Sequence, residues 1–411
     1  MVVFKGRIID GNGGTPIEDG LVAVDDNKIL YVGVAAGFQY PQDAEVITVP
    51  NGTIMPGFIE GHCHLGLGDD YLKIFREHAY NAVCRTVKQM ETLLECGFTS
   101  MRECGGLTNY LKPSWSEGVI SGPRIFSAGR SITQSGGHAD PIKYYPIEFS
   151  KNPERVFAGI IADGVPEVQH AARLQFREGA DFLKVMLSPG TSCQARSLMP
   201  AEYSDEELNA LVEEANNFGS YVCVHAHSNL AIKMALRCGV KSIEHGSYLQ
   251  PEDAERMAEQ GVILTPTFAT NGRSYRNMDR LAPWQREKVA QSHEHRAASA
   301  RMAHEAGVTI GYGCDFGGGE ITPFDLNGME FELLVTRAGL TPMEAIMAAT
   351  KTNSKLILSE DTLGTLETGK LADIVVAAGN PLEDISILGI KDNIKVVMQN
   401  GVIKKNLLVN Q

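Results

Sequence analysis

Eleven histidines punctuate the 411-residue sequence, and their spacing poses a chemical question: which of them can share a divalent cation. His62 and His64 stand two residues apart in PGFIEGHCHLG. Alternate side chains of a strand point to the same side, so two imidazoles spaced this way can bind one metal. His225 in YVCVHAH, His245 in KSIEHG and Asp315 in IGYGCDFG each end a short apolar run. Neutral imidazoles with a carboxylate are the donors that a borderline cation such as zinc prefers, and the five together outweigh a lone HxH.

Lys184 is of another kind, because it lies inside the apolar run DFLKVML, where an unpaired ammonium is costly to desolvate. Two readings account for it. It snorkels or pairs with a carboxylate, Asp181 or Glu244 being the candidates. Alternatively, burial lowers its pKa, the free amine takes up carbon dioxide, and the resulting carbamate bridges two cations. Spacing leaves both open.

The elements that must position these groups follow from periodicity. The first 50 or so residues alternate as short strands, VVFKGRII, LVAVDDNKILYVG with a hairpin at DDNK, and EVITVP. Eight apolar runs follow: TIMPGFIE, FTSMRE, RIFSAG, DFLKVML, YVCVHA, VKSIEH, VILTPT and VTIGYGCD. Between them fall amphipathic stretches such as 71–96, 204–218, 230–238, 252–260 and 286–305, with Ser204 capping SDEEL. This alternation predicts an α/β fold, a (β/α)8 TIM-like barrel over residues 55–358. ADIVV, KVVMQ and GVIKK then return to β character, so residues 1–54 and 359–411 are expected to build one small β-sandwich domain. In such a barrel the chemistry sits at the C-terminal ends of the strands, where His62, His64, His225, His245 and Asp315 lie.

A net charge of -13 with no cluster of Lys and Arg argues against a nucleic-acid partner and against an anionic membrane surface. MVVFKGRIIDG lacks the features of a secretory leader and no apolar run is long enough to span a bilayer, so a cytoplasmic location is expected. Eight dispersed cysteines without a CxxC pair fit neither a disulfide framework nor a structural zinc module, and Cys63 and Cys314 are expected to pack as small hydrophobes.

These motifs resemble the amidohydrolase superfamily over essentially the whole chain: PGFIEGHCH its opening strand, FLKVM its bridging-lysine strand, VHAH and IEHG its fifth and sixth, GYGCD its eighth. LGTLETGKLADIVV and VVMQNGVI resemble its returning β domain. The resemblance implies two divalent metal ions, zinc or similar. His62 and His64 with Asp315 would hold the more buried one, His225 and His245 the second, and a Lys184 carbamate would bridge them. It further implies attack by a metal-bridging hydroxide, with Asp315 as general base and proton carrier, and a homo-oligomeric assembly.

Within the superfamily, SGGHAD around His138, the VHAH segment and AIKMALRCGVKSIEHG resemble prolidase-like and arginine-carboxypeptidase-like members. The implied substrate is a small-molecule amide, a dipeptide (Xaa-Pro or with a hydrophobic C-terminal residue) or an N-acyl amino acid. His138, in a Gly-rich loop, is expected to donate a hydrogen bond to the substrate carbonyl or oxyanion. His227 is a candidate for holding a substrate carboxylate, and Ser188 with its PGTS turn for shaping the pocket. His78, His170, His293, His295 and His304 are assigned to helices away from the site. Competing readings are an imidazolonepropionase-like cyclic-amide hydrolase, an amidase of bulky secondary metabolites, and a non-catalytic scaffold, which the complete ligand set disfavours.

Overall fold

The computed structural model describes residues 1–69, 77–106, 108–140, 159–195 and 197–408. The chain opens with β1 (Val2–Ile8), β2 (Ile17–Asp25) and β3 (Lys28–Val34), joined antiparallel. Asp25 pairs with Lys28 across a two-residue loop in which Asp26 has φ +51°, the hairpin expected at DDNK. β4 (Glu45–Pro56) then runs parallel to β1. It extends past EVITVP through Ile54, Met55 and Pro56, so the first half of TIMPGFIE belongs to this sheet. The next strand begins only at Phe58, after Pro56, which has no N–H to donate, and Gly57.

β5 (Phe58–Cys63), β6 (Phe98–Glu103) and β7 (Arg124–Ser127) form a parallel three-stranded sheet. A second parallel sheet contains β8 (Ser131–Thr133), β9 (Gly159–Ile161), β10 (Leu183–Met186), β11 (Val222–Ala226), β12 (Ser242–His245) and β13 (Ile263–Thr265), in the order β13-β12-β11-β10-β8-β9. The third expected strand, RIFSAG, corresponds to β7, and neither β8 nor β9 was anticipated. The eighth, VTIGYGCD, forms no regular strand. Residues Ile310 and Phe316 make isolated parallel bridges to Leu264 and Cys63, so this segment touches the edges of both sheets. Gly313 explains the irregularity: a Cβ there would lie 2.7 Å from that of His62, so only glycine permits the approach, at the expense of strand regularity.

β14 (Ile374–Ala378), β15 (Ile394–Gln399) and β16 (Val402–Asn406) join the N-terminal strands in one seven-stranded sheet, order β16-β15-β14-β4-β1-β2-β3. Both ends of the chain therefore share a sheet, with their own apolar cluster around Phe4, Val22, Ile54, Val376 and Met398.

Helices cover the parallel strands. Asp205–Asn217 starts at a capping box in which Ser204 accepts from the Glu207 N–H and Glu207 accepts from the Ser204 N–H. Asn229–Cys238, Pro251–Gln260 and Pro283–Glu305 match their expected stretches to within a few residues. Ala79–Glu95 is shorter than the expected 71–96, whose residues 71–76 lie outside the described ones. His78 caps that helix rather than lying in it, and His170 falls in the middle of Gly164–Arg177 rather than at its start. Seven of the eight cysteines are buried and all are free. No helix among the described residues is long and apolar enough to cross a membrane.

Candidate active site

His62 lies within β5, fully buried, and its Nδ1 is 2.7 Å from Glu244 Oε2. The other Glu244 oxygen accepts from Arg102 Nη2 at 2.7 Å, and Arg102 also donates to Gly61 O and Ser242 Oγ. All three side chains are inaccessible to solvent. Burial alone would raise the Glu244 pKa, but Arg102 and His62 outweigh it and hold the carboxyl well below the usual carboxylate range. An ionised Glu244 fixes the His62 proton on Nδ1 and leaves Nε2 as a lone pair facing the strand-end cavity.

His64 is arranged the same way, its Nδ1 2.8 Å from the Gly105 carbonyl, which accepts only. Its Nε2 then meets Asp315 Oδ1 at 3.2 Å, and His62 Nε2 lies 3.4 Å from the same oxygen. Two imidazole lone pairs and a carboxylate oxygen face one another, an arrangement that repels unless a proton or a cation stands among them. The electrostatics make the same demand: burial opposes protonation of His64, but Asp315 overcomes it and raises the pKa. Asp315, for which burial is outweighed by His62, His64 and Lys184, is pulled down to about 2.

His245 ends β12 with its Nδ1 2.7 Å from Thr267 Oγ1, again leaving Nε2 free. His225, in β11, has a buried Nε2 with no hydrogen-bond partner among the described residues, which at such depth calls for an occupant. Donor atoms of His62, His245 and Asp315 all lie within 4.8 Å of one another. Lys184 Nζ sits 3.2 Å from His62 Nε2. Neither expected partner holds it, since Asp181 is paired with Lys112, and Glu244 with Arg102 and His62. The donor set therefore fits divalent cations, with neutral nitrogens and a carboxylate converging on one space.

Backbone strain marks the same place. His245, Thr267 and Asp315 have φ of +75°, +52° and +59°, rarely adopted by residues with a side chain. Strand alternation would put Glu244 and His245 on opposite faces; the left-handed turn at His245 brings both to the site.

A cavity of about 230 Å³ opens onto this cluster, lined among others by His138, His227, Met186, Asn271, Val289 and Arg296. The His138 ring stacks on His225 at 4.2 Å, and burial pushes its pKa down to about 4. Its Nδ1 accepts the Gly190 N–H at 3.2 Å, so the neutral ring carries its proton on Nε2 as a donor. Gly190 permits this contact, for a Cβ there would lie 2.2 Å from the ring. His227 is anchored through Nδ1 to Ser247 Oγ at 2.8 Å. Ser188 is fully buried and does not line the cavity; its hydroxyl accepts the His227 N–H at 2.8 Å.

Arg102, Thr267 and Arg296 were not singled out from the sequence, and Glu244, one of two candidate partners offered for Lys184, pairs with Arg102 and His62 instead. Arg102 and Glu244 carried the signal that singled out Lys184, a charge inside a strand. Arg296 carried none, being one polar residue in a polar helix.

Residues 53–404 match the model of the amidohydrolase family. The chain is 32% identical over 412 residues to the ochratoxinase of Aspergillus niger, spanning 94% of this chain and 82% of that protein. Among solved structures, a prolidase complexed with N-methylphosphonate-L-proline superposes with a TM-score of 0.91 at 30% identity, covering 98% of this chain and 99% of that one. A Xaa-Pro dipeptidase with methionine bound in its active site gives a TM-score of 0.89 at 30% identity, covering 98% and 100%.

Proposed function

The chain belongs to the amidohydrolase family, and from that premise we propose a metal-dependent hydrolase that cleaves the amide bond of dipeptides or N-acyl amino acids. The observation that carries the reading is the convergence of imidazole lone pairs on Asp315, beside a lysine that no expected carboxylate holds. His62, His64 and Asp315 would hold one divalent cation and His225 and His245 a second, with Lys184 as a carbamate between them. The chemistry such cations supply is Lewis acidity, which lowers the pKa of water and polarises the scissile carbonyl. We read the two parallel sheets and the 308–316 segment as one (β/α)8 barrel that begins at Phe58 rather than at residue 55, since Met55 and Pro56 pair in β4, with the strands of both chain ends as the β-sandwich domain.

The protein's own groups divide the remaining work. Asp315, ionised at neutral pH, is placed to take the proton of the attacking water and pass it to the departing amine. His138, neutral with Nε2–H as donor, holds the carbonyl oxygen as it gains charge. Ser188 acts through the backbone, fixing His227 rather than touching substrate.

The test is a library of dipeptides and N-acyl amino acids, including Xaa-Pro and hydrophobic C-terminal residues, assayed for released amino acid alongside metal analysis. The expected outcome is release by protein holding about two zinc or similar ions per chain. Protein that binds no metal would overturn the reading. The similarity to ochratoxinase favours a second substrate class, amides of bulky secondary metabolites, and activity on those with silence across the library would select it.

A further inference from the structure

The helix Pro283–Glu305 turns a polar stripe inward: Lys288, Ser292, Arg296 and Ser299 are buried along a face that would ordinarily be apolar. Arg296, 3% exposed, lines the cavity. Its Nη1 donates to the Thr267 carbonyl at 2.8 Å and Thr267 Oγ1 at 3.0 Å, and its Nε makes a long contact of 3.4 Å with Ser247 Oγ. Nη2 takes no acceptor, and no carboxylate pairs with the guanidinium, among the described residues. Other well-buried arginines differ: Arg102, Arg124 and Arg130 pair with Glu244, Asp373 and Glu178.

Asp315 and Glu330 attract the Arg296 charge through space, but neither is in contact with it. Glu330 spends its oxygens on the N–H groups of Phe268 and Ala269, and Asp315 faces His62 and His64. Burial lowers the Arg296 pKa to about 10, which still leaves a full cation at neutral pH. A buried charge without a contacting counter-ion is costly to the protein alone, and the cost is offset when a ligand brings the opposite charge. Its supports belong to the site too, for Thr267 Oγ1 also bonds His245 Nδ1 and Ser247 Oγ bonds His227 Nδ1.

We infer that Arg296 receives the free carboxylate of the substrate's amino-acid portion, with His227 beside it, and makes the site select an acid over its amide. This rests on the amide-hydrolase reading above and adds the residue that sets substrate class. A guanidinium suits the role because its planar fork meets a carboxylate through charge-assisted hydrogen bonds.

The experiment compares N-acetyl-L-phenylalanine and Gly-L-Pro with their C-terminal amides in wild type, Arg296→Met and Arg296→Lys, each checked for metal content and melting temperature. Wild type should prefer the acid, and the acid-to-amide ratio of kcat/KM should fall about 30-fold or more in Arg296→Met. Arg296→Lys, which keeps charge without the fork, should retain part of the preference, and stands in if the methionine variant does not fold. An unchanged ratio, with both substrates lost together, would show that Arg296 only supports Thr267 and would overturn the inference. If wild type hydrolyses nothing, the hydrolase reading fails by itself, and calorimetric binding of L-phenylalanine against L-phenylalaninamide still decides: acid-selective binding lost in Arg296→Met supports the role, and equal binding overturns it.

Discussion

On the His62 side of the site each imidazole is held from behind by a carboxylate or a carbonyl, whereas on the His138 side the rings are held by hydroxyls or a backbone N–H and by one another. His62 leans on Glu244 and Arg102, and His64 on the Gly105 carbonyl. His138, His225, His227 and His245 instead form a contiguous set of rings with centroids 4.2 to 5.0 Å apart. Burial, reinforced by neighbouring rings or by Arg296, holds His225, His227 and His245 well below the usual histidine pKa. One side is therefore an ordered chain of opposite charges. The other is a neutral, electron-rich wall that waits for positive charge.

The sharpest way to break the comparison is to remove the group between the two sides. Lys184→Ala should lose its metal and lower activity roughly 1000-fold, as expected when several kcal/mol of Lewis-acid stabilisation disappear. Partial rescue by short carboxylic acids, read by kinetics with metal analysis, would support the carbamate; its absence would return Lys184 to a hydrogen-bonded ammonium against His62.

Next in size is the charged side itself. Glu244→Ala strands Arg102 in a fully buried position and frees His62 to rotate. Denaturant unfolding should show a loss of about 3–5 kcal/mol. A loss below about 1 kcal/mol, the range of exposed pairs, would mean that the Arg102–Glu244–His62 chain does not organise this side.

How much of this was legible depends on the kind of signal. His62, His64, Lys184, His225, His245 and Asp315 stood out because polar groups ending or interrupting apolar runs are conspicuous, and the structure brings all six together. The expected eighth strand is not a strand, since Gly311 and Gly313 admit close neighbours and the segment keeps only two isolated bridges. The cavity wall was invisible for a different reason. Helix Pro283–Glu305 buries Lys288, Ser292, Arg296 and Ser299, so hydrophobic periodicity, the usual guide to an inward face, is absent where the inward face is polar. Ser188 shows the converse, a residue well placed in sequence whose hydroxyl turns to a backbone N–H instead of the cavity.

The smallest expected effect probes what stands behind the neutral wall. Asn271 lines the cavity, and His293 Nδ1 lies 2.7 Å from its Oδ1. Arg337 Nη1, which can only donate, lies 2.9 Å from His293 Nε2, so the ring is neutral with its proton on Nδ1. Burial, then the charge of Arg337, lowers the pKa to about 4. Because the folded pKa lies below the unfolded value of about 6.5, the unfolded chain takes up the proton first as pH falls. The stabilisation is complete above about pH 6.5 and is lost progressively toward pH 4. Between pH 7 and pH 5 wild type should lose about 1–2 kcal/mol more stability than His293→Gln, in which this titration is absent and the other histidines cancel. Parallel slopes for the two proteins would show that His293 is not held neutral and does not order the wall from behind.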